Sequence, residues 1–523
     1  MIDLRISGAS TSPRAESDIR LNYGDPNRII AASNNLGNPT QAQFFSTDGG
    51  STWSQTNLPP VTGDVFQGDP AVDWTSDGTA WAFTLGSDTM MNIRLHGFRS
   101  TDSGANWTFD ATVSGTQLAA DRDVVWVDHE ATSPFRDQIY AMWHVGLPVF
   151  FARRTAGATG AWQAPIQLSG AETTGIGIGG DVKTNAYGDV FVFWPDADGS
   201  RNISVVKSTD GGQTFTTPIV IAQTFASRRR LRIPSVPVVT VGGALQGGCR
   251  VYISAGAYRT ATKDLVYAVW TDLSGKTGCA TGFGPGNSTT SACKTRVWFT
   301  RSTNGGTTWS TPKMINNQPG RNDQFHSRLC VDESNGNLVV TYHDTVNDPS
   351  RLQTDVFMQT SKDDGRTWST AVALTSARTD ETSTGANTFR YGDYNGLHGH
   401  NGIFFPTWTD RRSGGAEEIW TAQVSIPGTL LPATGRITLL RVNDVKTGFG
   451  PPGDFLDVDV VVQLDTMPGR AFGFQLRDDS QGTARRAMLD MLRDAFSQNI
   501  QVTIDYIVTG LSNGRILRVV NSP

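Results

Sequence analysis

Short runs of alternating apolar and polar residues, broken by Gly, Asp, Asn and Pro, fill most of this chain. Period-two alternation predicts β-strands, because successive side chains point to opposite faces of a sheet. Several of these runs close on Trp-x-Asp: "VFVFWPD" at Asp196, "LVYAVWTD" at Asp272 and "FFPTWTD" at Asp410, with "VVTYHD" at Asp344 as a variant. The next strand leads into a turn phrase, "STDGGSTWS", that starts at Ser46. It returns as "STDSGANWT" from Ser100, "STDGGQTFT" from Ser208, "STNGGTTWS" from Ser302 and "SKDDGRTWS" from Ser361. A relic, "TAGATGAWQ" from Thr155, keeps only Trp162. The starts at 46, 100, 155 and 208 lie 53 to 55 residues apart, which marks stacked supersecondary units.

The chemistry of the phrase fits a hairpin turn. Asp48 can accept backbone N–H groups just downstream, Gly50 can take φ > 0, and Trp53 can pack between units. The same structural roles fall to Asp102, Trp107, Asp210, Asn304, Trp309, Asp363 and Trp368, with Ser46 opening the first copy. Four short antiparallel strands per unit make a propeller blade. The fold class is therefore all-β: a β-propeller over residues 1–426, seven blades favoured over six. Inner strands are expected to start near Asp18, Gly68, Asp121, Gly180, Arg232, His326 and Arg390. The N-terminal "MIDLRISG" supplies the strand that the seventh blade lacks and closes the ring. A linker at 427–435 and a small C-terminal β-barrel or sandwich at 436–523 follow. The latter has one helix, "TARRAMLDMLRDAFSQN", whose stripe of Met488, Leu489, Leu492 and Phe496 reads as core.

Composition narrows the class further. With 56 Gly, 14 Trp and 18 % charged residues among 523, the chain is turn-rich and globular rather than disordered. A net charge of −5 leaves no electrostatic footprint for nucleic acid, and no apolar run is long enough to span a bilayer. Cys279 and Cys293 bracket a Gly/Ser/Thr-rich loop and are expected to pair; Cys249 and Cys330 are candidates for a second bridge. Disulfides belong to oxidising compartments, so a secreted or cell-surface protein is expected, although the N-terminus lacks the features of a signal peptide. No cofactor is required; acidic turns such as "DADG" from Asp196 allow a structural calcium, and His398-x-His400 reads as a loop rather than a zinc site.

In a propeller the inner strands converge on one axis, so polar residues at their starts are the candidates for chemistry. They are Arg20, Asp69, Arg122, Asp123, Asp181, Arg232, His326, Arg328, Arg390, Tyr391, Asp393 and Tyr394. They differ from blade to blade, which favours one central site over several equivalent ones.

The repeated phrase is similar to the Asp-box, or bacterial neuraminidase repeat, and residues 1–426 resemble the sialidase-like propeller superfamily. The stretches "GDPAVDWTSDGTAWAF", "DRDVVWVDHEATSPFRDQIYAMW" and "YGDYNGLHGHNGIFFPTWTDRR" look like a bacterial group within it. The resemblance implies a glycan or glycoconjugate as partner and an exo-glycoside hydrolase with a Tyr nucleophile, a Glu base, an Asp acid and three carboxylate-binding arginines. Tyr391, Tyr394, Asp69 and Asp123 are then the catalytic candidates, and Arg20, Arg122, Arg232, Arg328, Arg390, Asp181, His326 and Asp393 bind substrate. The family's Arg-Ile-Pro motif precedes its first Asp-box, whereas here "LRIPSV" (Arg232–Pro234) follows the third full copy, and no Glu stands out as the tyrosine's partner. The alternative is a non-catalytic, lectin-like or interaction propeller. The C-terminal domain carries no motif and is assigned a docking role toward a glycan or protein.

Overall fold

The computed structural model describes the chain apart from residues 1–2, 9–10, 176, 197–198, 229, 242–243, 277–278, 280–282, 427–429, 445–446, 451–454, 478, 480, 510–512 and 522–523, with backbone only at 240–241 and 244–246. It divides into two compact units, one holding most of residues 2–422 and the other 400–404 with 423–523.

The larger unit is a seven-bladed β-propeller. Six antiparallel sheets of four strands follow one another, their inner strands being Arg14–Leu21, Asp64–Trp74, Ala120–Val127, Asp181–Thr184, Ile253–Arg259 and Gln324–Val331. The seventh starts at Gly396–His400, and its outer strand is Asp3–Arg5, paired through Asp3↔Ala422 and Arg5↔Trp420. The N-terminal segment thus closes the ring, as its sequence suggests.

Bonds between inner strands tie each blade to the next. Asp18 accepts Val72 N–H, Asp73 accepts Val127 N–H, and Trp126 Nε1 donates to Thr184 Oγ1. Asp181 accepts Ala255 N–H, Ser254 Oγ accepts Leu329 N–H, and Cys330 Sγ contacts Gly399 O. His398 Nδ1 accepts Leu21 N–H at 3.0 Å and completes the circle. A buried backbone donor without a partner is costly, so these side chains fix the spacing of the blades.

The five repeated turns are superposable in their bonding. In each, Ser46, Ser100, Ser208, Ser302 or Ser361 Oγ accepts the N–H of the Gly four residues on, at 2.9 Å. Asp48 also accepts Thr52 N–H at 2.9 Å and Thr52 Oγ1 at 2.6 Å. All five lie between the third and fourth strands of a blade. In four of them the aromatic residue packs on the preceding blade: Trp107 joins the core around Ile30, Phe215 meets Phe151, Trp309 meets Phe193 edge-on, and Trp368 meets Phe299. The relic does the same, Trp162 meeting Phe83. Burying such a ring stabilises by about 2–3 kcal/mol, so the motif holds neighbouring blades together.

Two inner strands depart from expectation. In blade 5 an insertion with two short hairpins (Arg230–Leu231 with Cys249–Arg250, and Val239–Val241 with Ala244–Gln246) precedes the strand, which begins at Ile253 and not near Arg232. In blade 7 a turn carries Arg390, and the strand begins at Gly396. Cys279 and Cys293 are bonded, whereas Cys249 and Cys330 are free and buried, each in the strand of a different sheet.

The C-terminal unit contains a closed barrel with strands Leu430–Val442, Val460–Leu464, Phe472–Phe474, Gln501–Val508 and Gly514–Asn521. Their order is first, second, third, fifth, fourth; the third and fifth are parallel, and the helix Gly482–Gln498 joins the third to the fourth. The connectivity is of the Greek-key kind. Residues 430–435, expected as linker, are the first half of a strand and pair with Val502–Ile507, because their alternation buries Leu431 and Ala433 in the barrel. Leu492 is fully buried on the helix, but Phe496 at 45 % exposure lies outside the core, at the edge of the stripe.

Candidate functional site

The inner strands of blades 1, 2, 3 and 6 share a backbone device. Each breaks register near its start, between Ala15 and Ser17, Gly68 and Ala71, Asp121 and Val124, and Phe325 and Arg328. At each break one residue takes the left-handed region: Glu16 (φ 55°), Asp69 (53°), Arg122 (49°) and His326 (51°). None is glycine, so each conformation costs on the order of 1 kcal/mol or more and persists because the surrounding sheet imposes it. A bulge re-aims its side chain, and here four chemically active side chains are re-aimed at one mouth of the propeller.

Around that mouth the contacts are dense. Asn34 Nδ2 donates to Glu16 Oε2 at 2.5 Å, and Asn34 Oδ1 accepts Asp69 N–H at 2.7 Å. Glu16 Oε1 accepts Asp393 N–H at 2.9 Å. Arg250 Nε pairs with Asp393 Oδ2 at 2.5 Å, and Tyr252 donates its hydroxyl to the same oxygen at 3.3 Å. The Arg122 guanidinium lies over the Tyr394 ring, 3.7 Å from its centroid, and 5.4 Å from that of Tyr252. Arg250, Tyr252, Thr271, His326, Ser327, Arg328, Asp393 and Tyr394 line one small pocket.

Several polar atoms here are buried without a protein partner. They are both Asp123 carboxylate oxygens, both His326 ring nitrogens, the Tyr394 hydroxyl and Arg328 Nε. These atoms have hydrogen-bonding capacity left over for a ligand or water at the mouth.

The electrostatics follow from burial and crowding. Burial, then the nearby Asp69 and Asp393, push the Glu16 carboxyl well up. Asp69 is raised to about 6 by desolvation and by Asp121, and Asp123 is raised well above the carboxylate range by burial and by Asp69. Burial lowers His326 to about 4, so its imidazole is neutral at physiological pH. The Tyr394 phenol is pushed up by burial, Asp69 and Glu16. Separated pKa values among neighbouring acids are what acid–base chemistry requires.

Of the residues selected from sequence, the mouth brings together Asp69, Arg122, Asp123, His326, Arg328, Asp393 and Tyr394. Arg20 and Asp181 stand elsewhere on the inner strands: Arg20 pairs with Asp18 at 2.8 Å, and Asp181 with Lys183 at 2.6 Å. Arg20 and Lys183 line a second cavity with Trp126, Arg328, Glu333 and His398. Arg232 is exposed in the insertion, over Phe283, and Arg390 donates to the Glu381 carbonyl from its turn. Tyr391 is fully buried in the hydrophobic core against Phe325 and His343, its hydroxyl 3.0 Å from Thr354 Oγ1. His398 binds Leu21 N–H and the Tyr23 hydroxyl, and Asp196 accepts Gly175 and Ser200 N–H groups within its own loops. Among the described residues no group of three or more His, Cys, Asp or Glu is arranged to hold a metal ion.

Glu16, Arg250 and Tyr252 were not singled out from sequence. Glu16 lies two residues before Asp18, on the bulge. Arg250 and Tyr252 lead into "ISAGAYR", the run directly upstream of "LVYAVWTD", which is the signal that locates the true inner strand of blade 5.

No family model matches the chain, and no curated protein matches it. Solved structures are similar to it at low identity. A protein of unknown function from Dyadobacter fermentans is 13 % identical with a TM-score of 0.40, over 81 % of this chain and 98 % of that one. A leech intramolecular trans-sialidase is 11 % identical with a TM-score of 0.41, over 65 % and 67 %. The BP39L lectin from Burkholderia pseudomallei is 12 % identical with a TM-score of 0.45, over 78 % and 96 %.

Proposed function

We propose that the mouth is a glycan site and that it works as an exo-glycoside hydrolase of sialidase type, acting on a sugar that carries a carboxylate. One observation supports this most: guanidinium groups from three separate parts of the ring, Arg122, Arg250 and Arg328, gather around Tyr394 beside Glu16 and Asp69. Arginines bind carboxylates with directional, charge-assisted bonds. A tyrosine is a nucleophile that an anionic substrate repels less than it repels a carboxylate. In this reading Tyr394 Oη attacks the anomeric carbon and passes its proton to the hydrogen-bonded Glu16–Asp69 pair, whose two buried carboxyls hold one proton between them. Asp69, which holds its proton to about pH 6, gives it to the departing glycosidic oxygen. Water then attacks the anomeric carbon and gives its proton to Asp69, the bond to Tyr394 Oη breaks, and the proton held by Glu16 returns to the phenolate. The Cys279–Cys293 bridge supports a secreted or cell-surface location.

A second reading, binding without cleavage, is favoured by the Arg250–Asp393 pair and by the stacking of Arg122 on Tyr394, which commit two of the three cations to the protein itself. A fluorogenic sialoside separates the two. Turnover between pH 4 and 8 that Tyr394→Phe abolishes supports the hydrolase; absence of wild-type turnover, with retention on a sialylated glycan array, supports the lectin.

A further inference from the structure

The mouth continues on blade 2 into an apolar ledge. The inner strand Asp64–Trp74 begins before its bulge, and its first residues pair with the end of the next strand through Asp64↔Asp88 and Phe66↔Ser87. Asp64–Gln67 and the turn from Asp88 to Asn92 therefore project past Asp69, on the mouth side. They expose Val65 (49 %), Phe66 (36 %), Met90 (76 %) and Met91 (73 %).

The charges in these segments are engaged internally. Asp64 lies 3.2 Å from His96 Nε2, while Asp88 accepts Met90 N–H at 2.8 Å and Asn92 N–H at 2.9 Å. The turn that carries the methionines is thus pinned, with Met91 at φ 62°.

The ledge touches the site. A Cβ on Gly68 would stand 2.8 Å from Phe66 Cε1 and 3.1 Å from Asn34 Oδ1. Asn34 Oδ1 is the atom that anchors Asp69 N–H. Glycine at 68 lets the Phe66 ring lie against the polar mouth, so apolar and polar surfaces meet without a gap.

We infer that this ledge is an aglycone subsite and that the substrate is a glycolipid, a glycan whose reducing end carries a hydrocarbon chain. The inference rests on the mouth being a glycan site. An amphipathic ligand matches the division of the surface: the sugar takes the charged mouth, and the chain leaving it covers Phe66, Val65 and the two methionines. Unbranched, polarizable Met side chains suit alkyl chains of variable path, and exposed apolar clusters rimmed by polar residues mark ligand sites.

The test compares one glycone on two carriers, sialyllactose free and sialyllactose on a dodecyl aglycone. The variants are Phe66→Ser and the double variant Met90→Ser/Met91→Ser. Each is expected to raise KM, or Kd where there is no turnover, about tenfold for the dodecyl substrate and less than about twofold for the free one. Equal effects on both substrates, or none, overturn the inference while leaving the glycan site intact. Failure of the wild type to cleave or bind either substrate overturns the glycan site and this inference with it. Wild-type binding to plain phosphatidylcholine vesicles as strong as to vesicles doped with the glycolipid also overturns it, in favour of a general lipid surface.

Discussion

The Ser-x-Asp/Asn-x-Gly turns and the inner-strand bulges are both repeated devices, but they repeat different things. Five turns keep the same side chains and the same bonds, down to a common 2.9 Å from Ser Oγ to Gly N–H. Four bulges keep the same backbone, φ between 49° and 55°, while their side chains change from Glu to Asp, Arg and His. Where side chains repeat, they satisfy local donors and pack against the next blade, which is scaffolding. Where only the backbone repeats, each blade contributes a different group to one place. Left-handed non-glycine residues occur in the turns as well, at Ser103 and Asp364, but at the bulges they carry Glu, Asp, Arg and His toward one mouth.

The largest effect that would break this contrast concerns two tyrosines three residues apart. Tyr394 faces the mouth with a buried, unpartnered hydroxyl, while Tyr391 is core, bonded to Thr354. Tyr394→Phe is expected to lower kcat about 1,000-fold, equivalent to about 4 kcal/mol of barrier, with little loss of stability. Tyr391→Phe should leave kcat within a few-fold and lower stability by about 1 kcal/mol. Steady-state kinetics with thermal melts on both variants decide it; equal kinetic losses would dissolve the assignment.

The reverse pattern is expected at a turn. Gly50 has φ 85°, and a Cβ there would stand 2.6 Å from Phe405 Cε1 of blade 7. Gly50→Ala should therefore cost about 3 kcal/mol through backbone strain and overpacking, while kcat of the folded fraction is unchanged. Denaturant unfolding beside kcat checks it, and a large kinetic effect without destabilisation would contradict a scaffold role. Serine at both Cys279 and Cys293, 14 residues apart, should cost about 2–3 kcal/mol, also without a kinetic signature.

How far the sequence carries follows from the same contrast. The turns repeat side chains, so their phase is visible in the letters, and it leads to seven blades and to closure by the N-terminus. Most of the mouth is reached the same way, because Asp69, Arg122 and His326 follow the start of the preceding turn phrase by 22 to 24 residues, with Arg328 two residues further on. Glu16 escapes because a bulge shifts the inward-facing register by one residue, and alternation alone does not reveal that shift. Arg250 and Tyr252 escape because the insertion before blade 5 breaks the phase, and "LRIPSV" offers itself in place of the true strand. In the C-terminal barrel, Pro432 and Gly435 read as linker, yet Pro432 faces outward and Gly435 lies where a Cβ would crowd Thr466 Oγ1 at 2.5 Å.

The smallest predicted effect tests whether the bulges store electrostatic strain. Asp69 titrates near 6 in the folded protein, raised from an ordinary carboxylate value by desolvation and neighbouring acids. Between about pH 4 and 6 the unfolded chain releases this proton while the folded one retains it. The folded state then binds more protons, so stability falls as pH rises through that window and levels off above it. For Asp69 the fall should be on the order of 2 kcal/mol, and burial of Glu16 and Asp123, also raised, extends it toward higher pH. Asp69→Asn should flatten the lower part of this profile and raise stability at pH 7, while lowering turnover. Asp48, by contrast, is held below the usual range: desolvation, the largest single influence, raises it, but its bonds to Thr52, Ser46 and Ser51 together outweigh that. Asp48→Asn should accordingly weaken the fold above about pH 4 and leave turnover alone. Urea unfolding of wild type and both variants from pH 4 to 8 gives the two slopes; slopes of the same sign would mean that turn and bulge carboxylates serve the fold in the same way.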